Sequence, residues 1–142
     1  MTRPLRKDAA ERREALLKAA AEAFARDGLD TPLHVIAEQA GVGRATLYRN
    51  FADRSELALA VFLEQIEDLG RRTHDRLDDP EVFLWFLGQM VELMIRSAGL
   101  STAIRDLRDE ALAPIRSGLK QAGAEALRVS QSAGRVRPDL TI

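Results

Sequence analysis

Apolar residues in this chain recur at spacings of three and four, and they stay on one stripe for a dozen or more residues at a time. Leu16, Ala20, Ala23 and Phe24 form the first such stripe, predicting a helix over 8–26 that Gly28 stops. Thr31-Pro32 predicts the next start, with threonine as N-cap and proline at the first helical position, for a short helix over 32–40. A third helix follows over 44–50. A fourth, over 54–77, has Asp53 or Ser55 as its N-cap and Leu57, Val61 and Ile66 facing inward. Asp78-Asp79-Pro80 breaks the chain before a fifth helix over 80–98, whose VFLWFL run is apolar nearly all round and is expected to be buried on most sides. Gly99 ends it. A sixth helix is expected over 101–112, an interruption or restart at Pro114, and a seventh helix over 115–132 before Gly134. No strand pattern, internal repeat or low-complexity tract accompanies these segments, so the fold class is all-α.

The stretch AGVGRATLYRNF breaks the rhythm. Gly41-Val42-Gly43 is poor helix and poor strand, because a glycine inside a helix costs about 1 kcal/mol relative to alanine. Only these three residues separate Ala40 from Arg44, the turn length of a helix-turn-helix, with Gly41 left-handed and Val42 plugging the gap between the helices. In the short helix that follows, Leu47 and Phe51 face inward. Arg44, Ala45, Thr46, Tyr48, Arg49 and Asn50 are left on the outside. A helix of this kind fits the major groove of DNA, where arginine can bond guanine, threonine can meet thymine and tyrosine can hold phosphate; the alternative is that Arg44, Tyr48 and Arg49 are ordinary solvated residues on a packing helix.

Composition narrows the classes. The 142 residues are 46% hydrophobic and 30% charged, with Lys+Arg 21 against Asp+Glu 22, which describes a nearly neutral globular chain of one domain or two small ones. The balance is uneven: residues 1–55 hold ten basic against eight acidic side chains, and the remainder eleven against fourteen. Arg3, Arg6 and Lys7 form an acid-free arm before the first helix; a solubilising tail and a DNA-contacting arm both fit it. Cysteine is absent, which excludes disulfides, thiolate catalysis and cysteine-based metal sites. With no signal peptide or membrane-length apolar run, the expected compartment is the cytoplasm. The two histidines, His34 and His74, stand on different helices, without HExxH or GxSxG patterns around them. No catalytic residue, metal site or cofactor is expected.

Residues 31–57, TPLHVIAEQAGVGRATLYRNFADRSEL, resemble the signature region of the TetR family of bacterial transcriptional regulators. Ala40-Gly41-Val42, Thr46-Leu47-Tyr48, Phe51 and Arg54 carry the resemblance. It implies base-edge contacts from Arg44, Ala45 and Thr46, and phosphate contacts from Tyr48, Asn50 and Arg54. Gly43 and Thr31 would offer backbone or capping groups near the DNA, and His34 would stand near the groove. Two positions depart from the family pattern: Arg54 replaces a common lysine, and Arg49 stands where a small residue is frequent. The resemblance also implies a DNA-binding domain over 9–60 and a helical effector-binding and dimerisation domain over 61–142. Phe62, Phe83, Trp85, Phe86, Met90 and Met94 are candidates for an effector pocket, and packing of an ordinary core is the alternative for each. Since the chain ends at GRVRPDLTI, it is expected to lack the last family helices. The expected protein is a homodimeric, ligand-responsive repressor that binds a palindromic double-stranded operator, with an unidentified small-molecule effector and no membrane partner. The alternative is a helical small-molecule or protein-binding module without DNA binding. That reading predicts neutral or acidic residues on the short helix, where this chain has Arg44 and Arg49.

Overall fold

The computed structural model describes residues 3–98 and 109–142, all of whose regular elements are helices. In chain order these are α1 (Arg3–Asp27), α2 (Leu33–Gln39), α3 (Arg44–Asn50), α4 (Arg54–His74), α5 (Val82–Arg96) and α6 (Asp109–Ser132). The helix expected over 101–112 lies, except for its last residues, outside the described residues, as does Gly99. The chain divides between Phe62 and Leu63 into two compact units.

The first unit holds α1, α2, α3 and the opening turns of α4. Leu16, Ala20 and Ala23 from α1, Ile36 and Ala37 from α2, Leu47 and Phe51 from α3, and Leu57 and Val61 from α4 close one buried cluster. Small alanines on α1 let the short α2 approach closely. α1 begins at Arg3, five residues before the expected start, so the basic residues placed in an arm ahead of it belong to the helix itself. The reason is local: Pro4 sits in the first turn, where its missing N–H costs nothing, and leucine, arginine and lysine follow as good helix formers. Lys7 is spent on Glu11, 3.8 Å away on the exposed face. At the other end, the hydrogen bond from Arg26 Nε (2.9 Å) holds the Asp27 carboxyl below the usual carboxylate range.

The second unit holds the rest of α4, with α5 and α6. Its buried cluster joins Leu69, Val82, Phe83, Phe86, Ala122, Ala126 and Leu127. Gly123 lets α6 lie against the Phe86 ring: a Cβ there would stand 3.1 Å from Phe86 Cε1. Ser130, fully buried on α6, accepts the Phe83 N–H at 3.2 Å and so caps α5 from another helix, since the N-cap residue Glu81 makes no side-chain cap. Pro114 does not interrupt α6: it lies inside the helix, where it withholds a single N–H, the one that would bond the Glu110 carbonyl. α5 is not buried on most sides, as its apolar run suggested. Leu84, Leu87, Val91, Met94 and Ile95 form an outward row at helical spacing, from 42% to 70% exposed, while Phe83, Phe86 and Leu93 face the core. Among the described residues no helix is long and apolar enough to cross a membrane.

Candidate nucleic-acid interface

Two tight pieces of backbone set the position of α3. Gly41 takes φ 67, and the Val42 N–H bonds the Ala37 carbonyl while the Gly41 N–H bonds that of Glu38, both at 3.0 Å. This is the double closure of a Schellman motif, and Val42 packs its side chain back on the core. Gly43, by contrast, is extended at φ −73 with open space where a Cβ would stand, so its backbone needs no glycine; its carbonyl accepts the first amides of α3, from Thr46 and Leu47. After α3, Asp53 Oδ1 accepts the Glu56 N–H at 2.9 Å and Glu56 Oε2 reaches back to the Ala52 N–H. Asp53, not Ser55, is therefore the N-cap of α4.

Between these fixed points α3 turns Leu47 inward and leaves Arg44, Ala45, Tyr48 and Arg49 exposed. Arg44 makes no hydrogen bond or ion pair among the described residues, and Tyr48 is 54% exposed. Thr46 and Asn50 are half-buried and engaged within the helix. Asn50 Nδ2 donates to the Thr46 carbonyl at 2.8 Å, and Arg49 folds back to give Nε to the Ala45 carbonyl and Nη2 to the Thr46 hydroxyl, each at 3.2 Å. Arg49, whose role the sequence left open, thus lies along the helix it belongs to.

His34 is exposed on the first turn of α2. Together with Pro32, Leu33, Arg44, Leu47, Tyr48 and Arg54 it lines a cleft of about 270 Å³, so four of the nine residues proposed to contact DNA share one concavity. Thr31 does not reach it. Its side chain is buried, and its hydroxyl donates to the carbonyls of Gly28 (2.8 Å) and Ala23 (3.4 Å). Nor is Thr31 the N-cap of α2: Pro32 holds that place and α2 starts at Leu33, because the hydroxyl is turned back to the carbonyls that end α1. Arg54 is tied in the same turn, with Nη1 donating to the carbonyls of Leu29 (2.7 Å) and Thr31.

Sequence reasoning missed Arg13. Its guanidinium stacks 4.5 Å above the Phe51 ring and Nη1 donates to the Asn50 carbonyl at 3.5 Å, at the C-terminal end of α3 where a cation is favoured. The available signal was spacing: Arg13 stands three residues before Leu16, at the margin of the buried stripe.

The six apolar candidates for an effector pocket are dispersed. Phe83 and Phe86 are core residues, Met90 and Trp85 pack on the margin of that core, Met94 is 65% exposed, and Phe62 belongs to the first unit. Trp85 carries Arg76 and Arg72 over its ring, at 4.6 and 5.5 Å. A cleft of about 750 Å³ in the second unit is lined by other side chains, including His74, Leu77, Pro80, Glu125, Arg128 and Val129. His74 and Glu125 stand 3.7 Å apart there.

Comparison with known proteins gives a consistent result. The family described as bacterial regulatory proteins, tetR family, matches residues 16–61. The chain is similar to the crystal structure of a TetR transcription regulatory protein from Mycobacterium vanbaalenii, at 34% identity and TM-score 0.74, over 96% of this chain and 86% of that one. It is similar to a TetR transcriptional regulator from Streptomyces coelicolor at 27% identity and TM-score 0.67, over 90% and 77% of the two chains. An HTH-type transcriptional regulator of Staphylococcus aureus strain USA300 is 30% identical over 93 residues, 60% of this chain and 50% of that protein. The chain thus spans about half the length of the curated relatives it matches.

Proposed function

The chain belongs to the tetR family of bacterial regulatory proteins, and from that premise we propose that it is a sequence-specific DNA-binding transcriptional regulator that reads a palindromic operator as a homodimer. The observation that carries this reading is α3 itself. Its buried Leu47 and the buried Phe51 beside it fix the helix, while Arg44, Ala45 and Tyr48 project outward from a turn closed on both sides. Arg44 and Ala45, at the start of the helix, meet base edges, with Thr46 beside them once the Arg49 side chain lifts off its hydroxyl. Tyr48 and His34 hold phosphate at the rim of the cleft.

Dimerisation draws support from the outward row of α5, where Leu84, Leu87, Val91, Met94 and Ile95 leave apolar side chains exposed side by side. The effector is read as a small molecule with both apolar and polar groups. The cleft beside His74, Glu125 and Arg128 supplies both kinds of wall and has the size of a ligand site.

The test is Arg44→Ala on a cognate duplex. Binding is expected to weaken by about 1–3 kcal/mol, with specificity relaxed at a single base position. Unchanged base preference would remove Arg44 from the reading role.

A further inference from the structure

Arg54 differs from the other residues expected to touch DNA in where its charge is spent. Among the described residues, no backbone amide bonds the Leu29 and Thr31 carbonyls of the α1–α2 turn, and side chains brace this turn instead. The Thr31 hydroxyl donates to Gly28 and Ala23, and Arg54 Nη1 donates to Leu29 and Thr31 itself. The arginine reaches back across 25 and 23 residues of chain to do so, and is half-buried. Its own backbone is fixed by the Asp53 and Glu56 caps on either side. A charged donor bonded to neutral carbonyls in a partly buried turn makes strong hydrogen bonds, and moving it to a phosphate leaves both carbonyls without that partner.

We propose that Arg54 is a positioning residue, a clamp that ties the α1–α2 turn to the start of α4. It thereby sets the seat of α2, which begins two residues after Thr31 and packs against both α1 and α3. Its effect on DNA passes through the placement of α2 and α3 and not through its own charge. The DNA readout rests on the regulator reading given above; the clamp has a second readout that does not.

Arg54→Gln and Arg54→Ala are compared with the wild-type chain in two measurements. The first is amide hydrogen exchange at Val35 and Ile36, whose N–H groups make the first bonds of α2 to the Pro32 carbonyl. The second is anisotropy titration across a salt series, against a duplex that the wild-type chain selects from a randomised pool and against an unselected duplex. A clamp predicts exchange faster by about tenfold at these amides. It also predicts about tenfold weaker binding to the selected duplex, unchanged binding to the unselected one, and an unchanged salt slope. Unchanged exchange, equal loss on both duplexes and a slope smaller by about 0.9 would overturn the clamp in favour of a phosphate contact. If the wild-type chain selects no duplex, the regulator reading fails, and the exchange comparison still decides the clamp. If both variants unfold, Arg54→Lys decides it. Lysine keeps the charge but shortens the reach, so a clamp loses selected-duplex affinity where a phosphate contact keeps it.

Discussion

The two units of this chain are held together by different means. In the first, the turns on either side of α3 are closed by neighbours in sequence, with Gly41 and Val42 bonding carbonyls three and five residues back and Asp53 and Glu56 capping α4 within a single turn, while the α1–α2 turn also draws on Arg54 from 25 residues away. In the second, the decisive contacts join residues far apart. Ser130 caps α5 across 47 residues, and Gly123 makes room for the Phe86 ring. Local closure suits a small head whose outer face must be left free for another molecule, because only its inner stripe has to pack. Long-range closure suits a core whose helix faces must match one another.

The largest expected effect sharpens this contrast from the packing side. Phe51→Ala removes a side chain that is 1% exposed, and with it the ring under Arg13, so urea unfolding should show the first unit destabilised by about 3–5 kcal/mol. A loss below about 1 kcal/mol would mean that the head does not depend on its apolar stripe. Next comes Ser130→Ala, which leaves the buried Phe83 N–H without its acceptor. Destabilisation of about 2 kcal/mol is expected in the second unit, together with faster exchange at the start of α5. If instead the change is silent, the long-range cap is incidental and the contrast between the units breaks. The smallest effect belongs to the local caps. Asp53→Ala should cost about 1 kcal/mol, with faster exchange confined to the first turn of α4. A cost exceeding that of Ser130→Ala would reverse the ranking of the two units.

The same difference decides what can be read from the amino-acid sequence. Gly41 and Val42 were legible because a left-handed residue followed by an apolar one is a signal contained in two positions, and the inward pair Leu47 and Phe51 because helical period alone places it. The core of the first unit followed from Leu16, Ala20 and Ala23 in the same way. Thr31 was misplaced because a threonine before proline has two sets of backbone groups within reach, the amides ahead and the carbonyls behind, and pattern does not choose between them. Arg54 and Arg13 carry no pattern that reveals their partners, since a guanidinium bonded to distant carbonyls looks in sequence like any exposed charge. The outward row of α5 was hidden by composition: in VFLWFL every position is apolar, so period gives no direction, and only packing against α6 separates Phe83 and Phe86 from Leu84 and Leu87. Ser130 was recoverable in part, four residues after Ala126 on the buried stripe of α6, where a polar residue requires a partner.

The most direct test of the regulator reading is fluorescence anisotropy of the 142-residue chain against the DNA upstream of its own gene, beside an unrelated duplex, at two salt concentrations. Tighter binding to the upstream DNA, weakening on both duplexes as salt rises, is the expected result. Equal affinity for the two duplexes, or no binding to either, would contradict a sequence-reading role for α3.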